Sequence, residues 1–148
     1  MCRALMLIPF VIGCAKTETA KVDSATMAPP VAAALTEADV AGTWKGTAMM
    51  AGTDSVFAHW TQICAAGTCK GTTEGAKDTV VATYMLMADS AMGTSQPYTN
   101  PAIKGGKVTD SWTLHLKDGK VSGTGMLSLA SKPDSVVMRY RFEGSRAP

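Results

Sequence analysis

The sequence predicts an all-β domain, an antiparallel meander of about seven strands closed into a small barrel or sandwich. From residue 39 onward apolar and polar residues alternate with a period of two, which is the spacing of a strand with one buried face. Turn residues recur about every ten positions, and no stretch shows the helical period that a parallel α/β fold requires. Short strands at such regular spacing are typical of sandwiches and barrels.

The clearest strands lie in the last third of the chain. Residues 107–117 alternate almost throughout, and Asp118-Gly119, a strong hairpin signal, leads into a second strand from Lys120. A turn at residues 131–134 precedes a third strand, so the chain is predicted to end in a three-stranded meander. The side chains predicted to face inward are Val108, Trp112, Leu114, Leu116, Leu127, Leu129, Val136, Met138, Tyr140 and Phe142.

Four earlier segments complete the count of about seven strands. They are separated by turns at Gly52, Gly67 and Gly75. Residues 89–106, with two prolines and paired glycines, are predicted to be the main irregular loop, and long ordered loops are where binding residues tend to lie. The four predicted strands cover residues 42–49, 55–64, 69–74 and 78–88.

Composition excludes some partners and indicates how the core is filled. Fourteen Lys and Arg balance 12 Asp and Glu, a net charge of +2, which gives no indication of nucleic acid or an acidic substrate. Large aliphatic residues are scarce, so aromatic rings over inward-facing Gly46, Gly123 and Gly125 are expected to dominate the interior. Six large side chains are the candidates for filling the core or lining a ligand pocket: Trp44, Trp60, Trp112, Met85, Met138 and Tyr140.

No catalytic or metal-binding motif is apparent. His59 and His115 have no ligand-type neighbour at metal spacing on their own strands, and no nucleophile elbow or phosphate-binding loop occurs. Asp110 is in phase with an apolar face but near a strand end, so we expect its carboxylate to be solvated at the rim. The sequence therefore predicts a protein that is not an enzyme and has neither a cofactor nor a metal.

Two cysteines of the β domain are spaced for a cross-strand bond. A four-residue loop between Cys64 and Cys69 would place them opposite each other on adjacent strands, within reach of a disulfide. An oxidising compartment would favour that bond. Two alternatives stay open: a redox or metal site, and two free buried thiols.

The amino terminus has the features of an export signal. A positive start at Arg3 is followed by an apolar run of ten residues, where a membrane-spanning helix needs about 20. Val11-Ile12-Gly13-Cys14 resembles the lipobox of bacterial lipoproteins, which implies removal of residues 1–13 and lipidation of Cys14. Residues 14–38 read as a flexible tether and residues 39–148 as the β domain. The alternative is a buried N-terminal element with an ordinary thiol.

The lipobox resemblance implies a location and a function. It places the protein in the cell envelope, facing the periplasm and attached by lipid, with Ala15 after the cysteine favouring the outer membrane. We expect a non-catalytic accessory module that contacts the membrane through its lipid and an envelope protein complex through its surface. No nucleic acid partner is expected.

Gly42-Thr43-Trp44 resembles the G-x-W signature that opens lipocalins and related calycin barrels. The resemblance implies a barrel whose Trp is covered by an Arg of the last strand, here Arg139 or Arg141. It also implies the alternative function, a carrier of a small hydrophobic ligand. Whether the interior is hollow distinguishes the alternatives.

Overall fold

The predicted all-β fold is confirmed in the computed structural model, which describes residues 34–104 and 106–148. Eight antiparallel strands form a closed barrel in which each strand pairs with the next along the chain and the last pairs with the first. A short helix precedes them. The elements are α1 (Glu37–Val40), β1 (Gly42–Met50), β2 (Val56–Ala65), β3 (Thr68–Thr73), β4 (Val80–Leu86), β5 (Ser90–Ser95), β6 (Val108–Lys117), β7 (Lys120–Leu129) and β8 (Lys132–Arg146).

The strand absent from the prediction is β5, which lies in the segment predicted to be irregular. It pairs with β4 and β6 along its length. Its inward residues Ala91, Gly93 and Ser95 are small and buried, so β5 lacks the large apolar side chains that make alternation visible. The irregular loop is therefore shorter than predicted and covers residues 96–107.

The final meander of β6, β7 and β8 has the predicted faces, with one exception. Leu114, Leu127, Tyr140 and Phe142 are buried in the barrel interior. The β7–β8 register shifts after Leu127, and beyond that shift Val136 is exposed instead of facing inward. A bulge changes which side of a strand the following side chains occupy, and alternation alone does not locate it.

The two ends of the barrel differ in their connections. At the end that we call the closed end, Ala66-Gly67 and Asp118-Gly119 form two-residue turns in which all four residues have positive φ. Such turns match the twist of a hairpin. At the opposite end, which we call the loop end, three of the four connections are longer, namely residues 51–55, 74–79 and 96–107, and two residues join β7 to β8.

The Cys64–Cys69 disulfide is present, although its loop is shorter than predicted. The two residues pair directly across β2 and β3 and are buried at 2 % exposure. Ala65 and Thr68 also pair, so the loop contains two residues instead of four. The bond closes the hairpin that borders the closed end.

Aromatic rings lie over glycines of neighbouring strands, as predicted. A Cβ built on Gly46 would lie 2.5 Å from the Trp60 ring, and one on Gly123 would lie 2.5 Å from the Phe142 ring. Gly93 faces Trp112 and Gly125 faces Tyr140 in the same way. These glycines leave room for the rings inside an eight-stranded barrel, whose interior is only wide enough for side chains or one small ligand.

The folded domain begins before the predicted boundary at residue 39. The Leu35 N–H donates to the Ala88 carbonyl at 2.9 Å, and the Leu35 side chain packs against the core. Asp39 accepts hydrogen bonds from the Thr36 N–H and hydroxyl at 2.8 and 2.6 Å, which fixes the start of α1. The predicted signal segment, Cys14 and the tether up to residue 33 lie outside the described residues.

Candidate ligand-binding cavity

A cavity of about 110 Å³ occupies the part of the barrel interior toward the loop end. It exists where inward glycines and alanines leave the space between the aromatic rings unfilled, with Gly71 and Ala82 among its walls. Strands from every side of the barrel contribute to it. The side chains that give it its chemical character are Trp60, Trp112, Tyr98, Tyr140, Phe57 and Asp110.

Asp110 is the acidic residue of this cavity. It lies near the start of β6 and faces inward opposite Leu127, partly buried, instead of being solvated at the rim as expected. The loop segment that follows β5 adds covering that the strand pattern does not reveal. The backbone N–H of Asp110 donates to the Ser95 hydroxyl at 2.8 Å, which fixes the start of β6 against the end of β5.

The Asp110 carboxyl has an unusual electrostatic environment. The Tyr140 hydroxyl lies 2.7 Å from both of its oxygens and donates to the carboxylate. Burial disfavours the charged form more strongly than this hydrogen bond favours it, and raises the pKa of Asp110 to about 7. The carboxyl therefore changes charge near neutral pH, which a solvated aspartate does not do.

The loop of residues 96–107 contributes two buried polar side chains, Tyr98 and Asn100. The Tyr98 N–H donates to the Val108 carbonyl at 3.0 Å and the Val108 N–H donates back at 2.9 Å, so the loop is attached to the start of β6. The Asn100 side-chain oxygen accepts from the Ala102 N–H at 2.9 Å and holds the turn. Burial, with the nearby Asp110 charge, raises the pKa of Tyr98 to about 12.

The aromatic rings around the cavity pack edge to face. Phe57 and Tyr140 have ring centroids 6.0 Å apart at 82°, and Trp60 and Phe142 lie 6.1 Å apart at 86°. Edge-to-face pairs hold ring orientation better than aliphatic contacts do. The Trp60 indole N–H is buried without a hydrogen-bond partner among the residues that the structure describes, so this wall retains an unused donor.

The structure brings only part of the predicted pocket set together. Trp60, Trp112 and Tyr140 line the cavity, whereas Met138 packs against the core without lining it. Met85 is 67 % exposed on the outer face, because its neighbours Ala82 and Tyr84 occupy the inward positions of β4. The inclusion of Met85 among the pocket residues was wrong.

Trp44 lies at the closed end and does not line the cavity. Its indole N–H donates to the Val40 carbonyl at 2.8 Å, and the Arg146 guanidinium carbon lies 4.6 Å from the centre of its ring. Arg146 also donates to the backbone carbonyls of Asp39, at 2.7 Å, and Ala41. These contacts fasten α1 across the end of the barrel.

The arginine predicted to cover Trp44 was misidentified. Arg139 is exposed, and Arg141 forms an ion pair with Asp54 at 2.5 Å near the loop end. Strand β8 is longer than the pattern indicates, and its register places Arg146 directly opposite Trp44. The expected type of contact is present, with a different arginine.

A second cavity, of about 260 Å³, lies at the closed end between the segment before α1 and the β6–β7 turn. Trp44, Arg146 and Asp39 contribute to its walls. Arg146 and Asp39 already form hydrogen bonds that hold α1 and the residue before it, Thr36. The loop-end cavity is the better candidate for a ligand, because aromatic rings and an inward carboxylate line it inside the barrel, whereas Asp39 is exposed.

The described ranges 34–104 and 106–148 lack both a metal-ligand cluster and a helix that could span a membrane. No group of three or more His, Cys, Asp or Glu side chains there is arranged to hold a metal ion. His59 and His115 are exposed, away from the cavity. No helix in these ranges is both long and apolar enough to cross a bilayer.

Comparison with known proteins identified no relative. No protein-family model matches the chain, and neither the curated proteins nor the solved structures contain a significant match to it.

Proposed function

We propose that this chain is a non-catalytic binding module of the cell envelope whose barrel holds a small ligand in the loop-end cavity. The observation that carries the proposal is the cavity itself, an aromatic-lined space with a single inward carboxylate. Binding sites usually combine apolar walls with a few polar groups that orient the ligand.

The volume of the cavity limits the size of the ligand. Sites for drug-sized molecules are about 300–1,000 Å³, whereas an engineered apolar cavity of about 150 Å³ holds benzene. A cavity of about 110 Å³ fits a molecule of roughly half a dozen non-hydrogen atoms or fewer. This favours a small compound over the extended hydrophobic ligands that fill larger barrels.

The contacts within the cavity favour binding over catalysis. The Asp110 carboxylate accepts from a phenol, and the Ser95 hydroxyl accepts the Asp110 backbone N–H and donates to no carboxylate or imidazole among the described residues. Nucleophilic catalysis needs a nucleophile within hydrogen-bond reach of a base. The described part of the cavity wall contains no histidine that would act as one.

The binding proposal is tested by titrating the full chain with small probes and following its amide resonances. Benzene, tert-butanol and trimethylammonium are suitable because each fits the volume limit. Saturable shifts concentrated at Ala82, Trp112 and Tyr140 support the proposal. Absence of a saturable shift at the cavity with all three probes contradicts it. Shifts confined to the outer-face residues Thr83 and Met85 contradict it as well.

The location is tested separately through the lipid anchor. We propose that Cys14 carries the lipid and that residues 1–13 are removed, which the resemblance of residues 11–14 to a lipobox supports. Cys14→Ser is expected to abolish fatty-acid labelling and to release the protein from membranes, since two or more acyl chains are needed for stable anchoring. Unchanged membrane retention of this variant contradicts the anchor. Cys2→Ser is the matched control and is expected to leave labelling unchanged.

A further inference from the structure

The Asp110 carboxylate has a neutral partner and no cationic one. Tyr140 donates its hydroxyl to both oxygens, and no Lys, Arg or His side chain of the described ranges forms an ion pair with Asp110. The ion pair that the described residues do contain, Arg141 with Asp54, lies on the surface. A charge taken out of water is normally balanced by an opposite charge, so this arrangement leaves a place for a cation.

Aromatic side chains line the cavity that contains Asp110. Trp60, Trp112, Tyr98 and Tyr140 line the same cavity. The face of an aromatic ring carries negative electrostatic potential and attracts an ammonium group, most strongly for Trp. An anionic ligand would be repelled by the carboxylate, and a long hydrocarbon would not fit into about 110 Å³.

We propose that the ligand of this cavity is a small organic cation, a protonated amine of a few non-hydrogen atoms. Its N–H group donates to the Asp110 carboxylate, and its methyl or methylene groups contact the rings of Trp60 and Trp112. This assignment rests on the proposed function, because it names the ligand class of the same cavity.

The dependence of ligand affinity on pH provides a separate test of the proposed cation, because Asp110 gains its charge near neutral pH. Tyr140 and Tyr98 are the titratable groups that face Asp110 from β8 and from the 96–107 loop, and the pKa of each is raised, so both stay neutral up to pH 9. Asp110, with a pKa of about 7, is mostly protonated at pH 5.5 and mostly ionised at pH 8. The affinity for a cation is expected to rise by about tenfold over this range, because binding requires the ionised carboxylate.

The decisive experiment compares trimethylammonium with tert-butanol, a neutral molecule of similar size and shape, by calorimetry on the full chain at pH 8 and pH 5.5. The expected result is at least tenfold tighter binding of trimethylammonium at pH 8, with that preference lost at pH 5.5. Asp110→Asn is expected to abolish the preference, and the exposed Asp134→Asn is the matched control that keeps it.

The outcomes separate the two proposals. Equal binding of the two probes overturns the cation assignment and leaves the cavity as a binding site for small molecules. Binding of neither probe overturns the cation assignment, and a further lack of response to benzene overturns the proposed function as well. Tighter binding of trimethylammonium that is the same at both pH values places the cation away from Asp110 and overturns the assignment. The comparison uses the unmodified sequence, so it holds even if Asp110→Asn fails to fold.

Discussion

The Tyr140 hydroxyl lies 2.7 Å from both carboxylate oxygens of Asp110, and it connects β8 to β6 across the barrel interior. Strand β7 separates these two strands in the sheet, and its Gly125 lies opposite both Trp112 and Tyr140. The glycine is what allows the phenol to cross toward Asp110. The acidic group and the aromatic wall are therefore positioned by the same local packing.

Asp110 is expected to make stability depend on pH. Its folded pKa of about 7 lies above the unfolded value near 3.9, so the native state holds the proton more tightly. This contribution is fully present below about pH 4 and is lost as pH rises to about 7, at a slope of at most about 1.4 kcal/mol per pH unit. Denaturant unfolding between pH 5 and 8 should show the slope, and Asp110→Asn should remove it. A variant with the same slope as the parent contradicts the assignment.

Gly93→Ala is expected to destabilise the barrel by about 1–3 kcal/mol, because the added methyl group would overlap the Trp112 ring. Thr94→Ala is the matched control, since its side chain lies on the exposed face of the same strand. Thermal and denaturant unfolding measure both variants. Equal stability of Gly93→Ala and the parent would show that Trp112 can move away at no cost.

Arg146→Ala is expected to lower the free energy of unfolding by about 1–2 kcal/mol through loss of its contact with Trp44 and its bonds to two carbonyls. Hydrogen exchange should accelerate at Ala41 and in α1. Arg139→Ala is the control, because that side chain is exposed and has no such contacts. If Arg139→Ala had the larger effect, the closure of this end would depend on a different contact.

Removal of the disulfide by the double substitution Cys64→Ala and Cys69→Ala is expected to cost about 2 kcal/mol. The chain-entropy argument gives a small effect because the bond closes a loop of six residues, and the Ala66-Gly67 turn already favours the hairpin. Denaturant unfolding of the double variant against the oxidised parent measures it. A loss above about 5 kcal/mol would show that the two buried side chains contribute mainly through packing.

Methionine oxidation should follow exposure and not position in the sequence. Met85 is 67 % exposed and Met49 is 5 % exposed, so hydrogen peroxide should convert Met85 to its sulfoxide much faster. Peptide mass spectrometry at several times measures each residue. Comparable rates would place Met85 inside the barrel, as the sequence pattern had indicated.

Alternation and turn residues were enough to predict the fold class, because every second residue along a barrel strand meets the interior. The pattern failed at β5, whose inward side chains are Ala91, Gly93 and Ser95, because small residues do not produce a visible period. The G-x-W resemblance led to Arg139 or Arg141 where Arg146 lies, since the end of the 15-residue strand β8 depends on pairing with β1.

The candidate site was only partly predictable. Alternation along β6 indicated that Asp110 faces inward. Its burial, however, depends on the 96–107 loop, whose Tyr98 pairs with Val108. Apart from their position in a long predicted loop, nothing in the sequence indicated that Tyr98 and Asn100 would be buried near the cavity. Their contribution follows from contacts between segments that alternation within one strand does not describe.

The pairing of β8 with β1 limits how another protein can attach to this domain. Every strand of the described barrel has a hydrogen-bonded neighbour on both sides, so no row of free backbone groups is available for an added strand. A partner has to recognise side chains of the connecting loops or of the outer wall. The same closure protects copies of the barrel from pairing with each other through their backbone groups.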